Sequence, residues 1–127
     1  MDNGVIRVRF PEAYDLPQLK DLVRTLRIEQ DGAVTLEDSY AFDGDGLEVE
    51  EALMTWLDVQ LEANVARLTS NEGVLEIHAE GATFRAERLE KASKENQAHG
   101  ILTRITAVYS PAPKTTARFT MRFVPHP

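Results

Sequence analysis

Hydrophobic and polar positions alternate most clearly at the two ends of the chain. Ile6, Val8 and Phe10 alternate with Arg7 and Arg9 and stop at Pro11, which predicts a first strand with one apolar face. Near the other end, Phe119, Met121 and Phe123 alternate with Arg118, Thr120 and Arg122 over a strand at 117–124. Another strand is expected at 101–109, joined to it by Ser110-Pro-Ala-Pro-Lys-Thr. Residues 74–79 and 82–88 flank Glu80-Gly81. With those two as the turn, Ile77 faces Phe84, Leu75 faces Ala86, and Glu76 faces Arg85 as an opposite-charge pair.

Two stretches carry a helical period instead. Leu16, Leu19, Leu22, Val23 and Leu26 fall within about 120° of a helical wheel. Asp15 and Gln18 form a capping box, Pro17 fits the first turn, and Tyr14 and Leu19 take the staple positions. The preferred reading runs this helix to about Gln30, caps it with Gly32, and follows it with a short strand at 33–37. The alternative is a hairpin in which Asp31-Gly32 joins LRIEQ to AVTLE. After the loop EDSYAFDGDG, with Asp45 and Glu48 as its capping pair, a second helix is expected from Leu47 to Leu68. Its apolar positions cover about 240° of the circumference, so it needs cover on more than one side, and a second subunit is one candidate.

Asn71-Glu72-Gly73 ends that helix, and LEKASKENQAHG (89–100) is a polar connection or short helix. No repeat or linker divides the chain. The expected architecture is one domain spanning 1–127, of α+β class. It has a mixed, mostly antiparallel sheet of about five strands with two helices packed on one face.

Composition narrows the chemistry. The chain has 127 residues, a size that buries one sizeable core, and its 43% hydrophobic and 28% charged content is that of a globular fold. It has no cysteine, which excludes disulfides, thiolate zinc sites and a cysteine nucleophile. The start, MDNGVIRVRFPEAYD, lacks the apolar core of a signal peptide. No window approaches the roughly 18 apolar residues of a membrane span. A cytoplasmic protein is expected.

The net charge of −7 is unevenly distributed. Residues 1–62 hold 15 acidic and 5 basic side chains, and residues 63–127 hold 6 and 9. Residues 28–66 contain 11 Asp or Glu and no Lys or Arg. An acidic surface repels phosphate and anionic lipid, which argues against nucleic-acid and membrane partners. Segregated charge suits steering towards a basic protein. The leading expectation is therefore a non-enzymatic protein-binding module, of the same general type as immunity proteins, inhibitors and acidic secretion chaperones. Glu37, Asp38, Asp43, Asp45, Glu48 and Glu51 would engage the basic partner.

Other chemistries fit less well. Aligning Asp43, Asp45 and Gly46 with a calcium loop places Ala41 first and Ala52 twelfth, so both ends of the cage are missing. Glu76, His78 and Glu80 share one strand face, where a metal or general-base role competes with a plain solvent-facing stripe. Arg7, Arg9, Arg85, Arg104, Arg118 and Arg122 can gather on an exposed sheet face to hold an anion. The alternative this supports is a small-ligand- or anion-binding protein or enzyme. The serines at 39, 70, 93 and 110 lie in no nucleophile elbow, and no phosphate-cradling glycine loop is present. No cofactor, metal or catalytic residue is assigned. The remaining alternative is a structural homodimer or assembly component built through the second helix.

Overall fold

The computed structural model describes residues 4–11, 15–90 and 101–127. Ten strands follow one another along the chain: β1 (Val5–Arg9), β2 (Leu19–Ile28), β3 (Val34–Phe42), β4 (Val49–Thr55), β5 (Asp58–Glu62), β6 (Val65–Thr69), β7 (Gly73–Glu80), β8 (Phe84–Arg88), β9 (Thr103–Tyr109) and β10 (Lys114–Pro125). Seven of them form a sheet in the order β1-β2-β3-β10-β7-β6-β5, and three form a second in the order β4-β9-β8. Every neighbouring pair is antiparallel.

The two sheets stack face to face around one apolar cluster. Leu22, Ile77, Ala117 and Phe119 come from the large sheet, and Val49, Phe84, Ile105 and Tyr109 from the small one. Phe84 and Phe119 stack across the gap with ring centroids 5.9 Å apart. Cross-strand partners share a face, so the pairing defines inner rows on the large sheet. One runs Ile28, Val34, Met121, Ile77, Ala66, and the next runs Ile6, Leu26, Leu36, Phe119, Ala79.

The α+β expectation with two helices is overturned: no helical element occurs among the described residues. No helix there is long and apolar enough to cross a membrane. The first expected helix is β2, and the hairpin through Asp31-Gly32 joins it to β3. Gly32 takes φ +88°, its N–H bonds the Glu29 carbonyl, and the Asp31 carboxylate accepts the Ala33 N–H. A bulge between Leu19 and Asp21 breaks the alternation, so Leu19 and Leu22 are both buried, and this pair imitated a helical spacing. Tyr14, assigned to the staple, lies outside the described residues, as does most of the polar segment 89–100.

The second expected helix is three strands. In β4 the inward positions are Val49, Glu51 and Leu53; in β5 they are Val59 and Leu61; in β6 they are Ala66 and Leu68. The phase shifts from odd to even at the Ala63-Asn64 turn, where Ala63 adopts φ 50°. Summed on a helical wheel, those phases give the 240° apolar arc. Glu, Leu, Ala and Met over 48–54 favour a helix only weakly, and burial between strands overrides that preference. Met54 and Trp56, expected in the middle of a helix, are 61% and 37% exposed beside the β4–β5 turn. A homodimer through helix 2 therefore has no element to use.

The 74–88 hairpin is corrected as well. β7 belongs to the large sheet and β8 to the small one, so Glu80-Gly81 carries the chain between sheets. Ile77 and Phe84 share the core from opposite sides, and Glu76 pairs with Arg67 in place of Arg85.

Gly46 fixes the loop before β4. At φ +82° a Cβ there would sit 1.8 Å from the Ala112 carbonyl oxygen, whereas a Cβ on Gly32 meets nothing within 4 Å. Gly46→Ala is expected to cost about 3 kcal/mol from left-handed strain plus overpacking, and Gly32→Ala about 1 kcal/mol from strain alone. Urea denaturation of both variants checks the ranking; equal losses would mean that the loop yields to the methyl group.

Candidate functional site

Folding disperses the acidic tract. Antiparallel pairing brings its carboxylates against arginines and a lysine from other strands: Glu37 with Arg118, Asp31 with Arg122, Glu50 with Arg104, Glu62 with Arg67, Asp43 with Lys20, and Asp38 with Arg24. Six of the eleven tract carboxylates are thus ion-paired. Five of these pairs are on the surface, where each contributes under about 1 kcal/mol.

The six residues expected to face a partner separate accordingly. Glu37 lies on the outer face of the large sheet beneath Arg118. Asp38 and Glu51 point between the sheets. Asp43 is exposed but held by Lys20 at 2.9 Å. Asp45 and Glu48 are exposed and carry no ion pair among the described residues. The structure does not bring these six onto one surface.

The outward arginines do not gather either. Arg118 is shared by Glu37 and Glu80, and Arg9 holds Asp21. Arg85 and Arg104 lie on the small sheet, away from the others. Glu76 and His78 are neighbours at 3.8 Å, and Glu76 is held below the usual carboxylate range chiefly by its hydrogen bond from Arg67.

Asp38 and Glu51 belong to a cluster the sequence reading missed. Asp38 is only 1% exposed. Arg24 donates to both of its oxygens, Nε to Oδ1 and Nη2 to Oδ2, each at 2.8 Å. That doubly bonded pair holds the guanidinium proton far more tightly than usual. Arg24 also lies over the Phe10 ring, 5.7 Å from its centroid. From the opposing sheet, Glu51 accepts a 2.8 Å hydrogen bond from the Tyr40 hydroxyl. Burial first, then hydrogen bonding to Asp38, push the Glu51 carboxyl up to about 7, against a lowering by Tyr40. The Arg24 guanidinium bonds Asp38 directly and acts on Glu51 only through its charge. Arg24 and Glu51 also line a cavity of about 110 Å³ whose other walls include Leu36, Phe84 and Met121.

Val8 and Arg24 are cross-strand partners, so Arg24 stands where the small sheet's cover over the large sheet ends. Beyond it the inner face is only partly covered by the described residues. Ile6, Val8 and Ile28 are 52%, 49% and 60% exposed although they continue rows that are buried further along the sheet. No strand pairs with the outer side of β1 among the described residues. Phe10 donates its N–H to Leu22, and Ile28 donates to Gly4. By the antiparallel alternation, Ile6 and Val8 also bond to β2, which leaves the backbone groups of Val5 and Arg7 directed outward. On the outer face behind them, Arg7 and Arg27 have no carboxylate partner among the described residues. An open recess beside Gly4, Val5, Arg27 and Ile28 adjoins this edge.

No protein-family model matches the chain, and no curated protein matches it in sequence.

Two outcomes test the interior cluster. Asp38→Ala removes both hydrogen bonds of the partly exposed Arg24 guanidinium and is expected to cost about 2 kcal/mol, roughly 6 °C in Tm; Glu62→Ala, at an exposed pair, is expected to cost under about 1 kcal/mol. Calorimetry of both variants compares them, and equal losses would remove any special role for the buried pair. The second outcome concerns pH. Glu51 in the unfolded chain ionises near 4.5 but in the folded chain near 7, so between those values the folded state holds the extra proton. Its contribution to stability is full below about pH 4.5 and is lost as the pH rises through about 7. Urea midpoints measured from about pH 5 to 8 are expected to fall in the parent chain and to fall less in Glu51→Gln. Parallel curves would refute the assignment.

Proposed function

We propose that the chain is a non-enzymatic protein-binding module that takes up an extended segment of its partner as an added strand on β1. The observation that carries this reading is the uncovered flank of the large sheet. There an edge strand, with the backbone groups of Val5 and Arg7 facing no other strand among the described residues, stands beside three aliphatic side chains that are 49–60% exposed. Strand addition draws affinity from main-chain hydrogen bonds and specificity from alternate side chains. The inner face supplies Ile6, Val8 and Ile28 for apolar residues, and the outer face supplies Arg7 and Arg27 for carboxylates. The fitting partner segment therefore alternates apolar and acidic residues. This reverses the polarity of a basic partner for an acidic patch, whose support is reduced by the ion pairs that consume most of the patch.

Short length and charged residues on an edge strand also deter indiscriminate pairing. Arg7 and Arg9 repel basic or like-charged strands while admitting an acidic one, so the same residues serve as selectivity.

A labelled peptide alternating valine and aspartate is expected to bind saturably, as read by fluorescence anisotropy. Arg7→Pro is the matched control. Proline is tolerated at an edge position whose N–H faces solvent, so this variant is expected to lose peptide binding with its stability changed by less than about 1 kcal/mol. Undiminished binding by that variant would exclude β1 as the docking edge.

A further inference from the structure

The two edges of the large sheet are chemically opposite. β1 carries Ile6 and Val8 on its inner face and Arg7 and Arg9 on its outer face. β5, the other edge, carries Val59 and Leu61 inward and Asp58, Gln60 and Glu62 outward. Both are five residues long. Resting on the reading of β1 as a docking edge, we infer that the strand it accepts is β5 of a second copy of this chain.

Direction and face agree with this pairing. All neighbours in the seven-stranded sheet are antiparallel, so its first and seventh strands point the same way. A second copy displaced sideways across the sheet lays β5 parallel to β1 with the apolar faces on the same side. Full overlap sets Ile6 and Val8 beside Val59 and Leu61. It also places Arg7 between Asp58 and Glu62, the reach at which diagonal neighbours interact. A parallel ladder is slanted and slightly weaker per residue, but it is a regular hydrogen-bonded ladder.

The charges also reject the two-fold alternatives. Pairing β1 with its own copy sets arginines against arginines, and pairing β5 with its own copy sets carboxylates against carboxylates; like charges across a strand pair destabilise it. The cover of the sandwich is offset in the matching sense. β8 of the small sheet packs against β5, so an incoming β5 brings its own covering layer to the flank where Ile6 and Val8 are half-exposed. Such a contact is heterologous: each added copy leaves one β1 and one β5 unused, and the assembly stays open-ended.

Sedimentation velocity from low to high micromolar protein tests this. The weight-average mass of the parent chain is expected to rise steadily with concentration and to fall when salt is raised to about 0.5 M. Arg7→Glu alone, and Asp58→Lys with Glu62→Lys, are each expected to remain monomeric. Their equimolar mixture is expected to regain association, because each variant's β1 then faces a β5 of opposite charge. A parent chain that stays monomeric, an assembly that stops at two copies, or a mixture that stays monomeric overturns the inference. The peptide assay separates the two readings. Peptide capture without self-association removes only the second copy as partner, and loss of both removes the docking edge itself.

Discussion

The structure depends on a charged contact at the margin of its core, the doubly hydrogen-bonded pair between the half-exposed Arg24 and the buried Asp38, with Glu51 placed against it from the facing sheet. An ion pair between two sheets is a weak source of net stability, because desolvation offsets most of the attraction. Its effect is on geometry. Asp38 can be tolerated at 1% exposure only with its oxygens satisfied, so β2 and β3 must meet in the one register that sets Arg24 opposite Asp38. Slipping that register by one residue would put the two charges on opposite faces of the sheet. Glu51 and Tyr40 then tie β4 to the same place, and with it the rim of the small sheet.

That arrangement explains which parts of the fold were legible in the sequence. β1, β7, β9 and β10 keep a largely apolar inner face and, with β8 and the start of β3 at 33–37, are expected as strands. In β2, β3 and β4 one inner position is given to a charge: Leu22-x-Arg24-x-Leu26, Leu36-x-Asp38-x-Tyr40 and Val49-x-Glu51-x-Leu53. The period-2 signal fails at those residues, and in β2 the bulge after Leu19 supplies a substitute helical spacing. A usable sign was present. Arg24 and Asp38 are equidistant from Asp31, as are Leu26 and Leu36, and Leu22 and Tyr40. The hairpin centred on Asp31-Gly32 would have paired opposite charges between two apolar pairs. For the stretch 47–68, an apolar arc too wide for a surface helix was itself the sign of strands in changing phase.

The acidic tract teaches a related lesson. Linear segregation of charge does not survive antiparallel folding, because strands distant in sequence lie side by side. Glu37 and Arg118 are 81 residues apart and share a hydrogen bond of 2.8 Å. The cation-free run of residues marks a part of the sheet whose counter-charges are supplied by β2, β6, β9 and β10. The edge that remains chemically distinctive, β1, was visible in the sequence as a strand. Its uncovered flank was not, because seven strands under a cover of three is a property of topology.

Two carboxyl groups, Asp38 and Glu51, meet between the sheets beside the Arg24 guanidinium. Carbon-13 NMR of the Glu51 side-chain carboxyl, followed across a pH titration of the folded chain, measures this directly. A midpoint close to 7 is predicted. A midpoint in the ordinary carboxylate range, near 4.5, would mean that Glu51 is solvated and that the sheets do not meet over Asp38 as described.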